Sequence, residues 1–236
     1  MGLAYLSKPG LGRITIVGTG PGPLKHLTLE ARNKLLSAEK IFFRTASYPV
    51  FHWLKAQGKH VLCFDILYTV PLDGGPEIKY ELITAALLKE VEIRGQAVYA
   101  LPGNPGVLED TTAQLRRCTT EKHIDLEIIP GVSFLDIIHA ELGIEAAGLQ
   151  VVLPRRHLQT RLFNSGTGLL VCQVDPIVTM KSLLETYPPE HRVMLIWTSG
   201  LPDYGLESKE ISLKDLTQEF TESMYYASLY VPPRQV

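Results

Sequence analysis

The chain has 236 residues, of which 45% are hydrophobic and 20% charged, and its formal net charge is -2. This is a globular composition, long enough to bury a core without staples. The near-neutral balance excludes a general electrostatic affinity for nucleic acid or an anionic membrane. The three cysteines, Cys63, Cys118 and Cys172, are odd in number and far apart. They form neither a disulfide framework nor a CxxC metal pair, and they fit a reducing, cytoplasmic setting. No apolar run approaches the roughly 18 residues of a membrane span, and Met1 to Gly12 lacks the apolar core of a signal peptide.

In chain order, Arg13–Val17 (RITIV) predicts a strand that ends in a glycine-rich turn. Thr28 can cap a helix to about Ser37, with Leu29, Leu35 and Leu36 available for one face. Lys40–Arg44 predicts a strand, Pro49–Ala56 a helix stopped by Gly58, and Val61–Phe64 a strand. Apolar residues at helical spacing from Glu77 to Arg94 predict a helix ending at Gly95. Ala97–Leu101 predicts a strand, Val107–Arg117 a helix and Leu126–Ile129 a strand. Strands alternating with helices favour a parallel sheet, which binds ligands at the carboxyl ends of its strands.

The second half reads differently. Leu149–Leu153, Gly168–Gln173, Arg192–Trp197, Ser208–Ile211 and Ala227–Val231 predict strands, interrupted by a helix near Ile177–Thr186. The expected architecture is therefore two α/β domains, residues 1–132 and 133–236, the second with a mixed sheet.

Three turns fall at predicted strand ends: Gly18-Thr19-Gly20-Pro21-Gly22-Pro23, Pro102-Gly103-Asn104-Pro105-Gly106 and Pro130-Gly131-Val132-Ser133. Parallel strands would bring them to one edge. The first invites a dinucleotide reading, but Pro23 stands at the third glycine of GxGxxG. Pro21 and Pro23 also remove N–H donors that a pyrophosphate would need. A cofactor without phosphates fits better than a nicotinamide dinucleotide. A simple connection would hardly need the three glycines of the first turn; taken alone, the second reads as a tight surface turn and Ser133 as a helix cap.

No HExxH, Cys–His cluster, GxSxG elbow or Walker sequence is present, so neither a metal nor a general base is named. Arg44, Tyr68, Tyr80, Arg155 and Arg156 are candidate substrate-side residues. The two linker arginines read more readily as a solvated face, and the tyrosines as half-buried packing. Trp53 and Trp197 read as core.

The three turns in this order resemble the tetrapyrrole methylase family. Gly168–Gln173 with Asp175-Pro176, the end Ser228–Pro233, and Phe64-Asp65 with Tyr68 and Tyr80 look like one branch of it, the methylase-like domain fused to MazG-type nucleotide pyrophosphohydrolases. The resemblance implies two α/β domains with S-adenosylmethionine in the cleft between them, a homodimer, and a small-molecule methyl acceptor such as a tetrapyrrole. It implies a cofactor site made by Pro21, Pro102, Gly103, Asn104, Val107, Ser133, Phe134 and Gln173, with Ser199 and Gly200 at the adenine side. Arg44, Tyr68 and Tyr80 would serve the acceptor. Asn104 departs from the aspartate of the family's GDP turn. That departure keeps open a non-catalytic cofactor-binding module, and the similar PG turn of borosin enzymes keeps open peptide backbone N-methylation.

Overall fold

The computed structural model describes residues 12–71, 77–154, 165–198, 206–221, 224 and 227–234. The chain divides into two compact units, residues 1–136 and 137–236.

In the first unit, five described strands form one sheet: β1 (Arg13–Gly18), β2 (Lys40–Phe43), β3 (His60–Cys63), β4 (Gln96–Leu101) and β5 (Asp125–Ile129). Their order is β3-β2-β4-β1-β5, and every pairing is parallel. The helices among them are α1 (Leu29–Ser37), α2 (Pro49–Ala56), α3 (Ile66–Thr69), α4 (Glu77–Arg94) and α5 (Asp110–Glu121). β1 is buried from Ile14 to Gly18, as expected of a central strand covered on both faces. The pleat divides its side chains. Val17 joins a core with Leu35, Phe43 and Leu54, whereas Ile14 and Ile16 join one with Leu87, Tyr99 and Leu115.

From β1 the chain moves out to β2 and β3. From β4, which lies beside β1, it crosses to β5 on the other flank. That reversal makes the carboxyl end of β1 a topological switch point, where open α/β sheets bind ligands.

The second unit holds β6 (Gln150–Val152), β7 (Leu169–Cys172), β8 (Arg192–Thr198), β9 (Leu206–Ser212) and β10 (Ser228–Val231), ordered β6-β7-β10-β8-β9. β6 and β7 are parallel and the other pairs antiparallel, giving the expected mixed sheet. Its helices α7 (Pro176–Leu183) and α8 (Leu216–Glu219) contribute Leu183 and Leu216 to a core with Tyr187, Leu195 and Leu229. Helix α6 (Phe134–Leu142) runs through the point where the two units divide. Trp53 and Trp197 are partly buried, each packed against the core of its own unit.

Two local expectations are corrected. Leu29 does not face the core but is 78% exposed, because the buried stripe of α1 runs through Ala31 and Leu35. Val107 and Leu108 do not open the helix after the second turn. Leu108 has φ 53°, which is left-handed and cannot propagate a right-handed helix, so α5 starts at Asp110. The cap at Thr28 stands as expected, its Oγ1 accepting from the Ala31 N–H at 3.1 Å.

Candidate cofactor and acceptor site

The three turns follow β1, β4 and β5, which are adjacent strands. They touch through the backbone. The Gly103 N–H donates to the Gly20 oxygen at 2.8 Å, and the Gly20 N–H to the Gly103 oxygen at 3.3 Å. A Cβ on Gly18 would stand 2.5 Å from the Gly131 nitrogen, and one on Gly131 only 2.3 Å from the Gly103 oxygen. Glycine is required at 18 and 131 because the backbones approach this closely.

Gly103 differs from both. It has φ 75°, and a Cβ there would meet nothing within 4 Å. The three turns thus crowd one another on one side and leave open space beside Gly103. Pro21, Pro102, Gly103, Asn104, Val107, Ser133 and Phe134 all belong to these turns or the residues just after them.

Local hydrogen bonds hold the rim. The Thr19 N–H and hydroxyl both donate to the Leu101 oxygen, at 2.9 and 3.0 Å. Asn104 Oδ1 accepts from the Gly106 N–H at 2.8 Å, and the Asn104 carbonyl from the Val107 N–H at 3.0 Å. Ser133 Oγ accepts from the Leu135 N–H at 3.1 Å, while Asp136 Oδ2 accepts from the Ser133 N–H at 2.7 Å, a reciprocal cap on α6. His26 packs under the first turn, where a Gly20 Cβ would lie 2.8 Å from its own Cβ. Burial and then neighbouring Lys25 lower the His26 pKa.

The acceptor-side candidates lie along the same carboxyl edge. Arg44 follows β2, and its backbone N–H donates to the Ala100 oxygen at 3.0 Å. Its guanidinium lies 5.8 Å from the Tyr68 ring centroid, and the Lys79 ammonium 5.0 Å from the same ring. Tyr80 is partly buried on α4. Burial and then Asp110 push its phenol up, with Arg44 opposing.

Sequence reasoning missed the partner of Arg44. Glu109 forms an ion pair with Arg44 Nη1, and its side chain is only 5% exposed. Burial pushes the Glu109 carboxyl up, and Arg44 and Thr111 pull it down without reversing the shift. The expected helix Val107–Arg117 included Glu109 without singling it out. The available signal was a lone acid between the PG turn and Asp110.

Gln173 lies in the second unit, exposed, just after β7, with φ 55°. A non-glycine residue in that conformation stores strain of about 1 kcal/mol or more. Ser199, Gly200, Arg155 and Arg156 lie outside the described residues. Among the described residues no group of three His, Cys, Asp or Glu could hold a metal ion.

The model of the family described as Tetrapyrrole (Corrin/Porphyrin) Methylases matches residues 13–209. The chain belongs to this family. One relative, YabN of Bacillus subtilis (strain 168), an uncharacterized protein, is 29% identical over 94% of this chain and 45% of its own length. Another, the type I borosin cyclic peptide precursor and methyltransferase ceuMA2 of Cerrena unicolor, is 22% identical over 95% of this chain and 60% of its own length. The chain therefore spans roughly half the length of these relatives. A crystal structure of uroporphyrin-III C-methyltransferase from Thermus thermophilus matches with a TM-score of 0.70 and 21% identity, covering 94% of this chain and 93% of that one. A structure of the Thermus enzyme complexed with S-adenosylhomocysteine matches at 0.67 and 18%. These two likenesses are of fold.

Proposed function

We propose that this protein is an S-adenosylmethionine-dependent methyltransferase acting on a small-molecule acceptor, with the cofactor held by Pro21, Pro102, Gly103, Asn104, Val107, Ser133 and Phe134. The observation that carries this reading is the convergence of three glycine turns on a parallel-sheet switch point, with open space at Gly103. The residues suit the cofactor. Two prolines in the first turn withhold N–H donors from a phosphate, and S-adenosylmethionine has none. Gln173 is a further cofactor contact in this reading on the family resemblance alone.

The cofactor supplies a methyl group on a sulfonium that leaves without an acid catalyst. The chain's task is then to orient and to exclude water. The mutually bonded turns supply a rigid wall, and Arg44, Tyr68 and Tyr80 face the acceptor. Calorimetric titration tests the reading: S-adenosylmethionine and S-adenosylhomocysteine bind and NAD does not. Gly103→Trp, which fills the open space, abolishes binding in a folded protein. Unchanged affinity there would place the cofactor elsewhere.

Borosin precursors recur among the relatives over more than nine-tenths of this chain, which favours a second reading, methylation of a peptide backbone amide. Labelled methyl transfer to a tetrapyrrole and to a peptide acceptor separates the two. Transfer to neither, with the cofactor bound, would favour a non-catalytic module like the domains fused to MazG-type pyrophosphohydrolases. We further propose a homodimer, checked by light scattering at micromolar concentration. A cytoplasmic setting is supported by three free thiols.

A further inference from the structure

Glu109 is a buried acid on the carboxyl edge whose charge the cofactor turns do not use. Glu109 lies between the second turn and α5, with its side chain 5% exposed against 28% for Arg44. An acid is buried to this degree only when paired, and Arg44 is its ion-pair partner. The pair is not isolated. The Arg44 guanidinium lies 5.8 Å from the Tyr68 ring centroid, and Tyr99 is fully buried on β4. Glu109 Oε1 and the Tyr99 hydroxyl meet no hydrogen-bond partner at good geometry among the described residues, although Thr111 is near enough to bias both.

A guanidinium carries five N–H donors in a fixed plane. Glu109 takes Nη1, and the Tyr68 ring lies beside the guanidinium. Donors therefore remain on a group whose orientation is fixed from the buried side. The pair is also electrically balanced. A balanced group does not attract anions from a distance but can present directed donors at short range.

We propose that Glu109 is a positioning residue: it locks the Arg44 guanidinium at the carboxyl edge so that the remaining donors take an oxygen of the methyl acceptor, carbonyl or carboxylate. This rests on the methyltransferase reading above and deepens it by naming the group recognised on the acceptor. Glu109 touches neither acceptor nor cofactor.

The test compares wild type with Glu109→Gln and Arg44→Lys in the full chain. Uroporphyrinogen III is the acceptor probe, and its ester form separates carboxylate from carbonyl recognition. Both variants raise the acceptor KM about tenfold or more, while the KM for S-adenosylmethionine stays within about twofold. A twofold or smaller change in acceptor KM, or an equal rise in both constants, overturns the proposal. A wild type that binds S-adenosylmethionine but does not methylate the probe shows that the acceptor reading has failed. The positioning claim is then decided by nuclear magnetic resonance of the Arg44 Nε–H. A signal protected from exchange in wild type and lost in Glu109→Gln, with the Tyr68 ring resonances shifted, supports it. An unchanged signal overturns it.

Discussion

The two ends of the first sheet handle polar groups in opposite ways. At the amino edge, acids and bases are paired. Lys40 Nζ is 2.6 Å from Glu90 Oε2, Arg94 Nε 3.1 Å from Glu90 Oε1, and Arg13 Nη2 3.9 Å from Asp125 Oδ2. The groove there is lined by Lys34, Lys40 and Arg94, and each of these cations already has an acid. At the carboxyl edge, the backbone does the holding. Gly20 and Gly103 exchange hydrogen bonds, Gly18 and Gly131 come too close for a side chain, and the Arg44–Glu109 ion pair joins the residues after β2 to those after the second turn. Balanced, paired charge stabilises a surface. A wall of backbone with a fixed, partly unspent guanidinium is suited to a ligand.

The strongest way to break that contrast is to remove one acid. Glu109→Ala leaves Arg44 partly buried and unpaired, so urea unfolding should show a loss of about 3–5 kcal/mol. Arg94→Ala at the amino edge leaves Glu90 with Lys40 and removes an ion pair whose arginine is 55% exposed. The expected loss there is about 1 kcal/mol or less.

Next comes the close approach. Gly131→Ala forces a methyl against the Gly103 oxygen, and overpacking of that kind costs about 1–3 kcal/mol. S-adenosylmethionine affinity should fall with it, since the turns must move apart. A variant with unchanged thermal midpoint and affinity would show that the three turns do not depend on one another.

Gly103→Ala and Gly95→Ala sharpen the comparison. Both glycines have φ near +75° and open space at the Cβ position, so each should lose about 1–2 kcal/mol to backbone strain. Calorimetry should separate them: the Gly103 variant weakens S-adenosylmethionine binding and the Gly95 variant does not.

Asn104→Asp should keep its turn, because the Gly106 N–H needs only an oxygen acceptor. The added charge near a sulfonium and an ammonium would change affinity by about 1 kcal/mol in a partly wet site, with tighter binding expected. Binding of S-adenosylmethionine and S-adenosylhomocysteine both more than about tenfold weaker would instead make the amide itself a specific contact.

The smallest effect is at Glu127, which accepts from Lys34 at 2.7 Å and Thr15 at 2.8 Å. These hydrogen bonds lower its pKa from the ordinary value of 4.5. A lowered folded pKa gives stability that is present above 4.5 and lost as pH falls through the folded value. The difference in thermal midpoint between wild type and Glu127→Gln should therefore be modest at neutral pH and vanish on acidification below 4.5. A difference that persists at low pH would assign it to shape, not charge.

Sequence alone determined the strands and the longer helices, but not the short α3 and α8 or the start of α5, because the former rest on local signals. Thr28 caps α1, Gly58 and Gly95 follow α2 and α4 in left-handed conformation, and the apolar run of β1 marks a strand buried on both faces. The three turns were legible for the same reason, since proline and glycine restrict the chain wherever they occur. Tertiary structure alone decided two things. Strand order placed β4 and β5 on either side of β1, so that turns more than 80 residues apart share backbone hydrogen bonds. The left-handed turn at Leu108 delayed α5 and left Glu109 off the helix, where it could reach Arg44, 65 positions earlier. No local pattern encodes such a pair, because its energy comes from burying two charges together, and burial belongs to the folded chain.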